Sequence, residues 1–429
     1  MNRSFAIRAL SLYVPLLAAF VLWNWRKPAR AEATGAVLAS AWNLPALLAL
    51  NLLAGRFGWW RFNALGAVFL GTPVDLWLGW AVLWGCVAAL LFRRTPVWIV
   101  CGYLGFFDWM VMPLCTPLVV LDRFWWVGEL VGLASCLVPA VYFARWTCQR
   151  THVTRRATLQ FLAFSGMLAL GTVLALTVSQ RAWSFDLHSK VTQIALQLLF
   201  ILALPGLTAV QEFAVAGEGT PLPYDPPSRL VTSGIYAYIA NPMQLSTTLL
   251  LFGLGVALHS KWLFFAGLIS VVYCCGLAAW TENADLKLRY GDEFVKYRSH
   301  VRNWLPRWRP WIASPSRIYL SEDCFKCSQM TSFLRRLKPL NLEILPAEEH
   351  PLYDLERMTY ESRDGVIHAQ GIAALARALE RVNLAWAIAG MLMRLPGVKQ
   401  LLQAIVDVNG GGRFRVERRI CDASANRGI

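Results

Sequence analysis

Nine apolar runs dominate this chain, at about 7–24, 35–54, 75–92, 97–121, 125–144, 160–178, 191–210, 243–258 and 262–280. About 20 apolar residues suffice to cross a bilayer as a helix, and hydrocarbon forces every backbone polar group in such a run to be satisfied within the run itself. A transmembrane helical bundle follows. The composition agrees: 56% of residues are hydrophobic and 16% charged, against about 45–50% and about 25% in soluble domains. Pro113, Pro139 and Pro205 lie well inside runs and predict kinks. Ala64–Leu70 reads as an interfacial piece or part of the third span. The last two runs are separated only by His259, Ser260 and Lys261, which predicts a tight helical hairpin.

Basic residues set the orientation. Arg26, Lys27 and Arg30 fall in one loop, Arg93 and Arg94 in a second, and Arg145, Arg150, Arg155 and Arg156 in a third. All three loops share a side with the basic C-terminal region, whereas Arg56, Arg61, Arg123 and Arg181 fall opposite. The positive-inside rule then places the C-terminus in the cytoplasm of a multi-pass cell-membrane protein. The net charge of +15 reads as topology and attraction to anionic headgroups rather than as a nucleic-acid surface. Arg3 and Arg8 precede the first run, which we read as an uncleaved span. Asp75, Asp108 and Glu129 are the notable acids of the first six spans, and we read them as interfacial or arginine-paired.

Composition shifts near residue 281, and prolines 306, 310 and 315 punctuate a boundary. We divide the chain into an N-terminal transmembrane bundle (1–189), a membrane core (190–314) and a small α/β domain (315–429). In the last, Arg317–Leu320, Leu342–Leu345 and Met358–Tyr360 read as strands. Cys324–Leu337, Ile372–Val382 and Val398–Val408 read as helices, and Asp364–Gly365 as a hairpin turn. Leu384–Leu395 is apolar but short for a span.

Polar residues in a functional pattern run from Gly217 to Pro310. Gly217 and Gly219 let backbone approach a ligand closely or mark a helix end. Asp225–Leu230 makes an extended crossing. Asn241 precedes Pro242 and reads equally as a helix N-cap or a ligand contact. Glu282 is placed at the C-terminal end of the ninth span, where a carboxylate opposes the helix dipole. It reads as a solvated carboxylate near the interface, as a partner for an arginine, or as a group that holds an ammonium or positions a nucleophile, and it is the one good candidate for a base. Most cysteines lie in apolar runs and behave as small hydrophobes. Cys324 and Cys327 differ: they form a CxxC opening a helix after a strand, where the helix N-terminus favours a thiolate. His350 and His368 lack metal-site spacing, so no metal is expected.

The order Gly217-x-Gly219-Thr220, then Gly234-x-Tyr236-x-Tyr238-x-x-Asn241-Pro242-Met243, then Glu282-x-x-x-Leu286, then Tyr290-Gly291-x-x-Phe294-x-x-Tyr297 resembles the isoprenylcysteine carboxyl methyltransferase family and the related phospholipid methyltransferases, over about 190–311. Ala240, Asn283 and Gln244 depart from the family pattern, which has Arg, a second Glu and often Tyr there. The resemblance implies an S-adenosylmethionine-dependent methyltransferase acting on a lipophilic acceptor (carboxylate, thiol or amine). It implies cofactor contacts from Gly217, Gly219, Thr220, Tyr236, Tyr238, Asn241, Pro242, Glu282, Tyr297 and Arg298, with Glu282 and Asn241 catalytic. Arg298 and Arg229 are the candidates to stand in for the missing Arg at 240. Residues 316–421 resemble the DCC thiol–disulfide oxidoreductases, which are thioredoxin-like. Tyr319 to Cys327, Arg363-Asp364-Gly365, Gly371 and Leu395-Pro396-Gly397 carry that resemblance. It implies catalytic Cys324 and Cys327 and a thiol or disulfide partner. The alternative is a membrane-anchored thiol–disulfide oxidoreductase whose methyltransferase-like core is an inactive scaffold or lipid-binding module.

Overall fold

The computed structural model describes residues 3–64, 66–179, 186, 188–221 and 226–416. Arg181 and Asp225 lie outside them. The described chain is mainly helical. Eight helices are long and apolar enough to cross a membrane: α1 (Arg3–Arg26), α2 (Arg30–Phe57), α3 (Val74–Leu91), α4 (Val97–Cys115), α5 (Trp125–Gln149), α6 (Val153–Val178), α7 (Lys190–Val215) and, following the shorter α8 (Pro242–Ala257), α9 (Lys261–His300). At about 1.5 Å per residue, 24 residues rise about 36 Å, enough for a hydrocarbon core of about 30 Å. The protein is multi-pass.

The chain forms two compact units, residues 1–183 with 219–226, and residues 184–218 with 227–429. In the first, small residues let helices approach closely, as expected where lipid supplies no hydrophobic drive between helices. A Cβ on Gly79 would meet the Ser11 carbonyl oxygen at 1.8 Å, and one on Gly35 the Ala144 carbonyl oxygen at 2.7 Å. Among the described residues of 60–73 none belongs to a spanning helix. Strand β1 (Trp60–Phe62) pairs antiparallel with β4 (Val119–Leu121), and β2 (Val68–Phe69) with β3 (Thr72–Pro73). The fourth helix accordingly ends at Cys115 rather than 121. Asp75 is ion-paired with Arg8. Asp108 and Glu129 are buried, and Asp108 accepts from Trp80 Nε1 at 3.2 Å.

In the second unit, α7, α8 and α9 stand with a four-stranded sheet, β5 (Ser316–Leu320), β6 (Leu342–Pro346), β7 (Thr359–Ser362) and β8 (His368–Gln370), ordered β6-β5-β7-β8. Strands β5 and β6 are parallel, joined by helix α10 (Phe325–Leu337); the other pairs are antiparallel, with Ile318 opposite both Ile344 and Tyr360. Helices α11 (Ile372–Leu379), α12 (Leu384–Arg394) and α13 (Val398–Val406) follow. One apolar cluster runs from Ala209, Ile235 and Ile239 of the helical part to Ile318, Leu334, Leu375 and Met391 of the α/β part.

Candidate active site

Two features of α9 correct the sequence reading of Glu282. The helix does not end near 280: it runs on to Tyr290, and after a break at Gly291 a second helical segment reaches His300, so Glu282 sits in mid-helix and no terminal carbonyls oppose it. A π-turn at Cys274–Ala278 precedes it. The polar composition after 281 marks a helix leaving the apolar zone, not a helix ending. Gly291 takes φ +55° and bends the chain; a Cβ there would meet nothing within 4 Å, so conformation alone requires glycine.

Pro242 begins α8, as its missing N–H allows at a first turn. Asn241 precedes it with no side-chain capping bond. Instead Asn241 Nδ2 donates to Gln244 Oε1 at 3.1 Å, and Gln244 Nε2 donates to both carboxylate oxygens of Glu282, at 2.9 and 3.0 Å. Residues three apart share a helix face, so the first turn of α8 aims the Asn241–Gln244 pair at one place on α9. Gln244, a departure from the family pattern, is therefore the connector between the two residues singled out as catalytic. Its spacing from Asn241 was the available signal.

Around this chain the aromatic residues are committed to the frame. Tyr297 Oη donates to the Tyr236 carbonyl at 2.8 Å, Tyr290 Oη to the Pro227 carbonyl at 2.7 Å, and Tyr238 Oη to the Glu380 carbonyl at 2.8 Å. Tyr236 stacks on Phe213 with centroids 5.1 Å apart, and its hydroxyl is buried with no hydrogen-bond partner. Burial first, then the neighbouring Tyr297, Glu212 and Glu282, holds that hydroxyl well above its ordinary pKa, so it is a neutral phenol. Trp311 packs on Tyr297, at 5.6 Å. Arg298 Nη1 donates to the Val301 carbonyl at 2.6 Å, and Arg229 is paired with Glu218 at 2.7 Å. Gly217 is filled by packing: a Cβ would meet Pro227 and Val231 side chains at 2.8 Å. Gly219 and Thr220 are buried and belong to the N-terminal unit.

Sequence reasoning missed a buried charge cluster. Glu212 Oε1 accepts from Arg377 Nη1 at 2.6 Å and lies 2.5 Å from Arg394 Nη2; Glu212 Oε2 accepts from Ser233 Oγ at 2.7 Å. Glu380 closes the cluster, 3.1 Å from Arg377 and 2.7 Å from Arg394 Nε. All four are buried. Gly234, at φ +59°, admits the Glu212 carboxylate: a Cβ would stand 2.6 Å from its Cδ. The signal was a lone carboxylate in an otherwise apolar run.

Cys324 directly precedes α10, and its Sγ accepts from Cys327 N at 3.4 Å. Both thiols are free and half-buried. Burial works against the Cys324 thiolate, but hydrogen bonds from Cys327 and Lys326, with the Lys326 charge, outweigh it and lower the pKa. Burial, then the hydrogen bond and charge of Cys324, pushes Cys327 up to about 12.

Residues 196–293 match the model of the phospholipid methyltransferase family. The match contains Glu212, Asn241, Gln244 and Glu282, and excludes the CxxC. No curated protein and no solved structure matches the chain.

Proposed function

We propose that residues 190–314 form a membrane methyltransferase that uses S-adenosylmethionine on a lipophilic acceptor, with Glu282 and Asn241 at its centre. The observation that carries this is the Asn241–Gln244–Glu282 hydrogen-bonded chain lying inside the matched segment. The residues present suit the cofactor's cationic end: an aligned carboxylate on α9, backed by an amide pair, and a buried neutral phenol at Tyr236 without a partner. When bound, the cofactor supplies an electrophilic methyl group. Glu282 holds the cationic end or accepts a proton from an amine or hydroxyl acceptor; a carboxylate or thiolate acceptor needs no such proton transfer. Gln244 fixes the Glu282 carboxylate, so orientation is set before substrate arrives. Pro242, Gly217, Tyr238 and Tyr297 act through the frame, holding backbone or packing, while Arg298, bonded through Nη1 to the Val301 carbonyl, supplies its other guanidinium donors to the cofactor carboxylate. We place the C-terminus in the cytoplasm by the positive-inside rule.

The test is calorimetric titration of S-adenosylmethionine into detergent-solubilised protein. Micromolar binding is expected, weakened at least about tenfold in E282A by loss of a charge-assisted bond and less in N241A. A folded wild-type protein that does not bind the cofactor refutes the proposal.

The CxxC supports a second activity in the same chain, in a thioredoxin-like, DCC-type module. Its support is the β6-β5-β7-β8 order, with a parallel first pair, and the Cys324 thiol, its pKa lowered, at a helix N-terminus. The Cys324 thiolate attacks a partner disulfide, forming a mixed disulfide and releasing one partner thiolate. Cys327, after losing its proton, attacks Cys324 Sγ and releases the second. The pair is oxidised and the partner reduced by two electrons. If the core binds no cofactor, this chemistry alone remains, on a membrane scaffold.

A further inference from the structure

A cavity of about 600 Å³ in the first unit is lined by arginines. Arg26 comes from the end of α1, Arg93 and Arg94 from the turn after α3, and Arg145 from the last turns of α5. These are span ends that the charge pattern assigns to one membrane face, so the cavity lies at headgroup depth. Glu32 is its single acid, and it is ion-paired with Arg93. Arg145 donates to the Phe92 carbonyl at 3.0 Å and to that of Thr95, which fixes the turn carrying Arg93 and Arg94.

Two arginines are left over. Among the described residues no carboxylate pairs with Arg26 or Arg94. Arg26 lies over the Trp25 ring at 4.9 Å, and its Nε, like that of Arg145, is shut from solvent without a hydrogen-bond partner. Two solvent-shut, unpartnered Nε donors at a cavity wall, beside the exposed guanidinium of Arg94, suit an anion with several acceptor oxygens, and phosphate matches the guanidinium fork. The volume suits a small-molecule ligand, which typically needs about 300–1,000 Å³. Leu90 and Leu91 give the cavity an apolar wall beside the charges. A phosphate carrying an apolar portion fits both features.

We propose that this cavity binds a phosphate ester anion, namely the headgroup of an anionic phospholipid. The site is separate from the methyltransferase-like core and does not depend on its activity.

The experiment uses full-length protein in nanodiscs of phosphatidylcholine with a minor share of phosphatidylglycerol. Lipid retained after extraction is read by native mass spectrometry. Wild type should retain phosphatidylglycerol preferentially. At about 1 kcal/mol per arginine near an anionic surface, R94Q should lose about fivefold of that retention and R26Q/R94Q about 25-fold. R61Q/R123Q, on the opposite face, should lose none. Arg94 is exposed, so R94Q reads binding without disturbing the fold. Equal retention of both lipids, or equal losses in the opposite-face control, overturns the proposal. Displacement of the retained lipid by millimolar glycerol phosphate supports the phosphate chemistry and moves its source to a soluble ester.

Discussion

Replacing Arg377 with Met keeps much of the side-chain volume and removes one cation from the buried cluster. Glu212 then keeps Arg394 at 2.5 Å and Ser233 at 2.7 Å, and Glu380 keeps Arg394 at 2.7 Å. Two carboxylates share one guanidinium in a site closed to water. Breaking a buried pair in this way costs about 3–5 kcal/mol, and the surviving contacts place R377M near the lower end. The loss falls on the contact between the α/β part and the helical core, because Glu212 belongs to α7 and Arg377 to α11. At about 1.4 kcal/mol per tenfold, the undocked population rises roughly a hundredfold. Arg307, in the connection between α9 and β5, is a tryptic site; the carbonyl of Trp308, just after it, accepts from Leu384 N–H of the α/β part at 2.9 Å, so the site is protected in the docked state. When opening is fast relative to cleavage, the cleavage rate follows the open population. Native-state tryptic cleavage at Arg307 should therefore rise about a hundredfold in R377M. E212Q/R377M should recover much of this, since the double change removes the uncompensated charge. A cleavage rate within about threefold of wild type would refute the claim that the charge cluster holds the two parts together.

Two further perturbations test neighbouring features. G234A adds a Cβ 2.6 Å from Glu212 Cδ at a residue with φ +59°; it should destabilise the same contact by about 1–3 kcal/mol from backbone strain, read by the same cleavage, and an unchanged rate would show that the carboxylate moves aside freely. Cys324 has a lowered pKa and Cys327 one of about 12. As pH rises, iodoacetamide should therefore label Cys324 first, with a midpoint below the ordinary thiol value, while Cys327 stays unreactive until strongly alkaline pH; simultaneous labelling of both would contradict the asymmetry.

The helical architecture was legible because long apolar runs allow few other solutions in a bilayer. Their starts at Pro242 and Lys261 and the strands around Tyr319 and Tyr360 fall within a residue or two of expectation. The end of α9 was not legible, because a polar amphipathic extension and a loop have similar composition; the helix through Leu286 to His300 shows itself by packing Phe294, Tyr297 and Val301 against Trp311. The roles of the site tyrosines were hidden for a related reason. Tyr238 and Tyr297 read as ligand contacts in a motif, and their hydroxyls also serve carbonyls at 2.8 Å that become neighbours only in the folded chain. Gln244 shows the reverse: a departure from the pattern that becomes intelligible once α8 and α9 face each other. The Glu212 cluster was out of reach because its cations lie 165 and more residues downstream, in sequence that reads as another domain.

That separation imposes an order on biosynthesis. A ribosome adds about 5–20 residues per second, so the 165 residues between Glu212 and Arg377 take roughly 8–33 s to make. Through that interval the membrane core exists without the cations its carboxylate requires. Glu212 must then stay hydrated or protonated, and α7 cannot settle into its final environment. The helical core is thus finished by the tail that follows it, and a chain interrupted before Arg377 would leave a membrane segment carrying an unanswered charge.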